Sequence, residues 1–160
     1  MATKDMPLKK RLKLALICSH GGHLTEMQML SSAFEEHDCF LVSYQSPRTE
    51  SSTWLERKYL LPNIGTNITR MLTTAFRAAS ILRQERPDVL MSTGAEIAIP
   101  FLWVGKLMGV KTVYVESWCR VHSPSGTGRL VYPVADLFLV QWPTLVWIYG
   151  PKARYLGAIL

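Results

Sequence analysis

The chain has 160 residues, of which 48% are hydrophobic and 19% charged, and this length and composition fit one packed globular domain. Cys18, Cys39 and Cys119 have no paired spacing and follow no signal peptide, which excludes a disulfide-built secreted domain and favours a reducing, cytosolic location. The longest apolar stretch is shorter than the ~20 residues of a membrane-spanning helix, so we expect the chain to lie on a membrane at most. The net charge of +6 suits nucleic acid, an anionic membrane surface or a phosphorylated substrate.

A basic segment precedes the first apolar run. Residues 1–11 are predicted to form a basic N-terminal tail, and residues 12–160 a single domain. Such a tail either stays solvated or contacts an anionic surface. Its basic residues are Lys4, Lys9, Lys10 and Arg11, with Lys13 next along the chain.

Five short apolar or β-branched runs predict β-strands. Helical patterns separate most of these runs, and strands joined through helices form parallel sheets with right-handed crossovers. We therefore predict an α/β fold, a Rossmann-like parallel sheet with helices on both faces. The predicted strands span residues 12–18, 38–44, 88–92, 112–117 and 137–141.

Three helices are predicted between the strands. The third spans about 98–108, with Pro100 in its first turn and Gly109 just past its end, where these residues are best tolerated. The stretch 45–66 is predicted to be a long connection. The first helix carries Leu24, Met27, Leu30 and Phe34 at helical spacing. The predicted buried stripe of the second is Ile68, Leu72, Ala75, Phe76, Ala79 and Leu82.

Three glycine-bearing loops follow predicted strands, at the edge where doubly wound sheets bind ligands. In the first, Gly21 and Gly22 precede a helix whose N-terminal N–H groups and partial positive charge suit an oxyanion. A glycine pair alone is more typical of a plain turn, but three such loops together favour a phosphate-binding cleft. The candidates in the other two loops are Ser92, Thr93, Gly94 and Glu96, and then Ser125, Gly126 and Gly128, with Arg120 and Arg129 as a diphosphate clamp.

Two ionisable residues at this edge are candidate catalytic groups. His23 is a general base or a phosphate contact, because its ordinary pKa of ~6.5 lies near neutral pH, and a helix-capping role is the alternative. Glu116 is a base, a hydrogen-bond partner of a sugar hydroxyl, or a carboxylate held by Arg120. Zinc binding by Cys18, His20 and His23 is disfavoured because no fourth ligand lies nearby, and no metal site is predicted.

The third predicted helix is strongly apolar. Phe101, Leu102 and Trp103 lie in it, and Lys106 follows them. This combination suits a helix at a membrane interface, although aromatic residues in apolar runs more often belong to the core.

Five stretches together resemble a known group of proteins. They are SHGGHLTEM, STGAEIAIPF, GVKTVYVES, SPSGTGRLVYPVADLFLVQWP and YGPKARYLGAIL. In this order they resemble the bacterial PssD-like polysaccharide biosynthesis proteins and the membrane-anchoring subunit of the eukaryotic dolichol-diphosphate N-acetylglucosamine transferase. Those proteins are similar to the N-terminal half of MurG-type glycosyltransferases, so the resemblance implies one half of a glycosyltransferase B fold.

The resemblance implies the acceptor-binding, membrane-associated subunit of a two-component glycosyltransferase that is weak or inactive alone. It implies extension of a polyprenyl-diphosphate-linked oligosaccharide in capsular or exopolysaccharide biosynthesis, by hexosyl or glucuronosyl transfer, at the cytoplasmic face of the inner membrane. A partner subunit would bind the UDP-sugar, so no cofactor is expected on this chain. His23 or Glu116 would take the proton of the acceptor hydroxyl, and the glycine loops would bind diphosphate. The eukaryotic subunit has an N-terminal membrane helix, whereas here we expect attachment through the basic tail and the apolar helix.

Other functions remain open from the residues alone. One is a non-catalytic scaffold that recruits a catalytic glycosyltransferase to the membrane. A dinucleotide-binding oxidoreductase would carry G-x-G-x-x-G after the first strand and an acid at the end of the second, and neither is present. A nucleic-acid module is disfavoured because the basic residues cluster at one terminus and the aromatic residues lie in apolar runs.

Overall fold

The computed structural model describes residues 10–159, so residues 1–9 of the predicted basic tail lie outside the described residues. Within this part of the chain, seven strands form one sheet in which every neighbouring pair is parallel. In chain order they are β1 (Lys13–Ile17), β2 (Asp38–Tyr44), β3 (Lys58–Leu61), β4 (Val89–Ser92), β5 (Lys111–Val115), β6 (Leu137–Leu139) and β7 (Ala153–Arg154). Their order across the sheet, β3-β2-β1-β4-β5-β6-β7, is Rossmann-like and confirms the predicted fold class.

Helices cover both faces of the sheet. Ala15 and Ile17 of β1 share one core cluster with buried residues of the third to sixth helices, while Leu14 and Leu16 share another with the first helix. Successive residues of β1 thus face opposite sides, as a strand requires. The helices are α1 (Gly22–Met29), α2 (Pro47–Ser51), α3 (Ile68–Glu85), α4 (Ala98–Leu107), α5 (Gly126–Val131) and α6 (Pro143–Tyr149), with a 3₁₀ turn at Ser31–Ala33.

The strand order reverses between β1 and β4, where an open α/β sheet leaves a crevice outside its carboxyl edge. Ile17 pairs with Ser92, and Ser92 pairs with Tyr114. The loops that follow β1, β4 and β5 therefore begin side by side. This register brings the three predicted glycine loops to one place.

The predicted long connection 45–66 contains two elements, which corrects that prediction. α2 begins at Pro47, and the side chain of Ser46 caps it by accepting a hydrogen bond from the N–H of Thr49. β3 pairs with β2 at the edge of the sheet. It has only four residues and begins at Lys58, so its pattern is too short to distinguish from a loop.

α3 forms where predicted, but three of the six residues of its predicted buried stripe face outward. Ile68, Leu72 and Phe76 are 75%, 60% and 79% exposed. Helical spacing identifies an apolar side of a helix, yet it does not say what covers that side. The residues that α3 buries are Thr74, Ala78, Ile81, Leu82 and Glu85.

α4 buries two residues that were predicted to contact a membrane. Phe101 and Leu102 are fully buried in the core, which corrects that prediction. Trp103 is 42% exposed. Lys106 is exposed as well and forms an ion pair of 2.5 Å with Asp136. α4 is apolar mainly because it packs between the sheet and its neighbouring helices.

Candidate functional site

A cavity of about 980 Å³ opens at the carboxyl edge of the sheet, where the three glycine loops meet. This volume is in the range of small-molecule sites. The structure therefore brings the three predicted loops together at one cavity. The predicted site residues that line it are Gly22, His23, Glu96, Glu116, Arg120, Ser125 and Gly126.

The N-terminus of α1 borders this cavity. Gly21 precedes the helix with a φ of +94°, a backbone conformation that favours glycine. No side chain among the described residues caps the helix, so its first N–H groups are left for a ligand. The helix dipole adds partial positive charge at Gly22, and an oxyanion such as a diphosphate suits this position.

The second loop mainly contacts His23, and of its predicted residues only Glu96 lines the cavity. Ser92 and Thr93 are fully buried, which corrects the prediction that their hydroxyls contact phosphate. The Thr93 hydroxyl donates to the carbonyl oxygen of His23 (2.7 Å), and Ser92 Oγ accepts from the N–H of Gly94 (3.1 Å). Gly94 has a φ of +126°, and a Cβ there would lie 2.8 Å from His23 Cε1, so glycine is needed to leave room for the imidazole. Glu96 lines the cavity.

Glu116 is fully buried and holds the loop after β5 together. Its Oε2 accepts from the N–H (3.1 Å) and hydroxyl (2.9 Å) of Ser125 and from the phenol of Tyr149. Its Oε1 accepts from the N–H of Ser117 (2.9 Å). A general base needs a lone pair within reach of the reacting hydroxyl, and these bonds engage both oxygens. We therefore assign Glu116 a structural role, and the described residues show no ion pair between it and Arg120.

The third loop uses two of its predicted phosphate contacts internally. Ser125 Oγ accepts from the N–H of Gly128 (2.8 Å) and caps α5. Gly128 is buried, and a Cβ there would lie 2.5 Å from Oε2 of Glu116, so glycine lets α5 approach the carboxylate. Gly126 and the exposed Arg120 remain at the cavity.

His23 is the best-placed titratable side chain of the cavity. Its side chain is 30% exposed while its Nδ1 is buried without a hydrogen bond, so the exposed edge of the ring carries Nε2. Nδ1 lies 3.6 Å from Oε2 of Glu26, one helical turn further on. Burial lowers the pKa of His23, but the nearby carboxylate of Glu26, with smaller contributions from Thr93 and Glu116, outweighs burial and raises the pKa above its ordinary value. Sequence reasoning missed Glu26, although its i,i+3 spacing from His23 was the available signal.

One side of the cavity is apolar. Met71 of α3, Ile99 of α4 and Leu130 of α5 line it. Leu130 is 54% exposed, and its carbonyl oxygen accepts from the ring N–H of Trp103 (3.1 Å), which extends this lining onto the outer surface of the helices. We call the exposed apolar residues of these three helices the apolar face. They are Ile68, Leu72, Phe76, Trp103, Leu107 and Leu130.

Residues 10–159 contain neither a metal-binding group of side chains nor a helix that could cross a membrane. No three His, Cys, Asp or Glu side chains there are grouped so that they could hold a metal ion. Burial raises the pKa of the Cys18 thiol to about 12, which disfavours the thiolate that zinc requires. In the same range, no helix has both the length and the hydrophobicity needed to cross a membrane.

A family model described as "Oligosaccharide biosynthesis protein Alg14 like" matches residues 14–159. The chain belongs to this family. Among Alg14-like relatives, the UDP-N-acetylglucosamine transferase subunit ALG14 of Homo sapiens is 25% identical over 192 residues, which cover 100% of this chain and 88% of the human protein. The corresponding subunit of Schizosaccharomyces pombe is 30% identical over 186 residues, which cover 99% and 87%. The resemblance to the eukaryotic subunit is confirmed, and the PssD-like assignment stays a prediction.

Solved structures share the fold of this Alg14-like chain. MurG of Acinetobacter baumannii has a TM-score of 0.69 at 15% identity, over 91% of this chain and 45% of that chain. UDP-N-acetylglucosamine 2-epimerase of Rickettsia bellii has a TM-score of 0.71 at 12% identity, over 94% and 46%. This chain therefore spans about half the length of those proteins. The likeness concerns the fold alone, and it confirms the predicted half of a glycosyltransferase B fold.

Proposed function

We propose that the chain is the acceptor-binding, membrane-associated subunit of a two-component glycosyltransferase that uses a UDP-sugar and a polyprenyl-diphosphate-linked acceptor. The observation that carries this proposal is the composition of the cavity. An uncapped helix N-terminus borders it on one side, and Met71, Ile99 and Leu130 line it on another. A diphosphate suits the first side and a polyprenyl chain the second.

The diphosphate would bind at the N-terminus of α1, with the exposed Arg120 as its counter-charge. Glu96 lines the same cavity and is placed to accept hydrogen bonds from hydroxyls of the acceptor sugar. The sugar would then lie beside His23, between the first two glycine loops. The predicted partner Arg129 is exposed but is not among the lining residues, so we leave it out of the diphosphate clamp.

Membrane association is proposed to occur through the apolar face. This surface begins at the cavity rim, so a polyprenyl chain leaving the cavity would pass directly into lipid. Exposed arginines on the same helices suit an anionic membrane surface. They are Arg70, Arg77, Arg83 and Arg129.

His23 is proposed as the general base. Its Nε2 would accept the proton of the acceptor hydroxyl while the hydroxyl oxygen forms a bond to the anomeric carbon of the donor sugar. The bond from that carbon to the UDP oxygen breaks, and UDP leaves with the electron pair, so a single displacement inverts the anomeric configuration. A well-placed base contributes ~10²–10⁴ in rate.

The donor-binding half is proposed to reside on a partner subunit, because the named relatives, of which this chain covers 88% and 87%, are transferase subunits. The UDP-sugar would bind mainly to that partner, so this chain needs no cofactor of its own. Those names favour N-acetylglucosamine over hexosyl or glucuronosyl transfer. A capsular or exopolysaccharide product rests on the PssD-like resemblance alone. We place the subunit at the cytoplasmic face of the inner membrane, in keeping with three free cysteines.

The test is to purify the tagged chain from its own cells in mild detergent, together with whatever remains bound to it. Transfer is then assayed with UDP-N-acetylglucosamine and a polyprenyl-diphosphate-linked sugar. The complex is expected to transfer sugar, and the chain expressed alone in a foreign host is not. Robust transfer by the chain alone would contradict the subunit proposal.

Variants of the complex separate catalysis from recruitment. His23→Ala is expected to lower kcat by ~10²-fold or more while the complex stays assembled. Transfer that is unaffected by His23→Ala but lost when the apolar face is made polar would favour the non-catalytic scaffold.

A further inference from the structure

Glu26 is a buried acid on α1, and the function proposed above does not use it. The residue is 8% exposed, and its helix neighbours Leu24 and Met27 belong to the core. Its Oε1 accepts from the hydroxyl of Ser117 (2.9 Å) and from the N–H of Trp118 (3.0 Å). A buried carboxylate is costly to keep in a fold, so its second oxygen calls for a partner.

That second oxygen faces His23. Oε2 of Glu26 and Nδ1 of His23 are both buried, and neither has a hydrogen-bond partner. They lie 3.6 Å apart on successive turns of α1. Nδ1–H of His23 is a donor without an acceptor, and Oε2 of Glu26 is an acceptor without a donor. A small rotation of either side chain brings the two atoms within hydrogen-bond distance.

We propose that Glu26 is a positioning residue for His23: its carboxylate accepts the Nδ1–H of the imidazole and so leaves Nε2 unprotonated toward the acceptor hydroxyl. This inference rests on the proposed function of His23 as the base. The carboxylate also stabilises the imidazolium that forms when Nε2 takes the proton. Gly94 packs against the ring, and Thr93 holds the His23 backbone, so the imidazole is oriented from three sides.

Other charged groups around His23 act more weakly. Glu116, after β5, raises the pKa of His23 after the larger effects of burial, Glu26 and Thr93. Glu96, after β4, and Arg120, in the third loop, line the same cavity. Glu26 is the carboxylate paired with the imidazole.

The test uses Glu26→Gln in the full chain. The amide keeps an oxygen for Ser117 and Trp118 but presents an N–H₂ group to Nδ1, which then favours the tautomer protonated at Nε2. Nitrogen-15 NMR of labelled histidine reports the tautomer and the titration midpoint, and His23→Ala identifies the signal. We expect Nδ1–H in the wild type, Nε2–H in Glu26→Gln, and a midpoint lower by about one pH unit in the variant.

Two control variants test whether the change in His23 comes from the carboxylate of Glu26 that faces it. Glu36→Gln makes the same charge change on an exposed residue and is expected to leave the His23 signal in place. Ser117→Ala removes one hydrogen bond to Oε1 without touching the side that faces His23. If Ser117→Ala shifts the His23 midpoint as much as Glu26→Gln does, Glu26 acts through the loop and the proposal is overturned.

Transfer by the purified complex provides the second readout. We expect Glu26→Gln to lower kcat by ~100-fold with little change in KM, and to move the acid limb of the pH–rate profile to lower pH. In a His23→Ala background, Glu26→Gln is expected to cause no further loss of kcat. An unchanged tautomer and titration in Glu26→Gln overturns the positioning role even if His23→Ala is slow. Full transfer by His23→Ala instead overturns the base role, and with it the catalytic consequence of Glu26.

Discussion

Replacing Ile68, Leu72 and Phe76 together with glutamine is expected to release the protein from membranes without unfolding it. These side chains are 75%, 60% and 79% exposed, so they contribute little to the core. Full burial of such a side chain is worth about 1.5–3 kcal/mol, and scaling by the exposed fraction leaves about 1–2 kcal/mol for each on entering lipid. The three losses sum to about 3–6 kcal/mol, and because 1.4 kcal/mol is tenfold, vesicle affinity is expected to fall ~100-fold or more.

The assay is co-sedimentation of the full chain with vesicles that contain anionic lipid, with thermal unfolding as the check on folding. Met29→Gln is the matched control, because Met29 is 44% exposed on α1, at the opposite face of the sheet. Vesicle binding that survives the triple substitution, or that Met29→Gln reduces equally, would refute the placement of the membrane surface on α3.

Glu116→Gln is expected to lower the free energy of unfolding by about 2–3 kcal/mol in urea denaturation, because the amide N–H₂ meets groups that donate to the carboxylate. Unchanged stability with transfer lost would give Glu116 a chemical role instead. Gly94→Ala is expected to lower kcat, because a Cβ there displaces the imidazole of His23. The control is Gly109→Ala, which has open space at a φ of +79° and is expected to cost only about 1 kcal/mol of stability. Equal kcat in the two variants would contradict the role of Gly94. Because a base must be neutral and the pKa of His23 is raised in the free chain, the acid limb of the kcat/KM–pH profile is expected above pH ~6.5. The stability that protonated His23 contributes is present below pH ~6.5 and is lost as the pH rises through its folded-state pKa. An acid limb below pH ~6.5 would contradict both statements, because both depend on a raised pKa of His23.

The sheet was largely predictable because its central strands are nearly continuous apolar runs. β2 matches its predicted bounds, Asp38–Tyr44, and the prediction for β1 differs by one residue at each end. β3 was missed because an edge strand of four residues carries almost no pattern. The outward direction of Ile68 on α3 was missed for a different reason: an exposed apolar stripe and a core-facing stripe have the same spacing.

The place of the site was predictable, but the roles of its residues were not. Glycine loops after parallel strands converge wherever the strand order reverses, so Gly22 and His23 could be placed beside Glu116 from sequence. Whether a carboxylate is free depends on neighbours that are distant in the chain, and Tyr149, which engages Glu116, is 33 residues away. Glu26 was missed because a single acid in a short helix of mixed polarity is easily taken for a solvent-facing residue.

Above all, the cavity is proposed to bind the diphosphate of a lipid-linked sugar. The most direct measurement is an NMR titration of the full chain with a short-chain, water-soluble polyprenyl-diphosphate-linked N-acetylglucosamine. We predict saturable shifts of the amide signals of Gly22, His23 and Glu96, and no matching shifts with UDP-N-acetylglucosamine. An absence of binding, or binding of the UDP-sugar at those same amides, would contradict the claim.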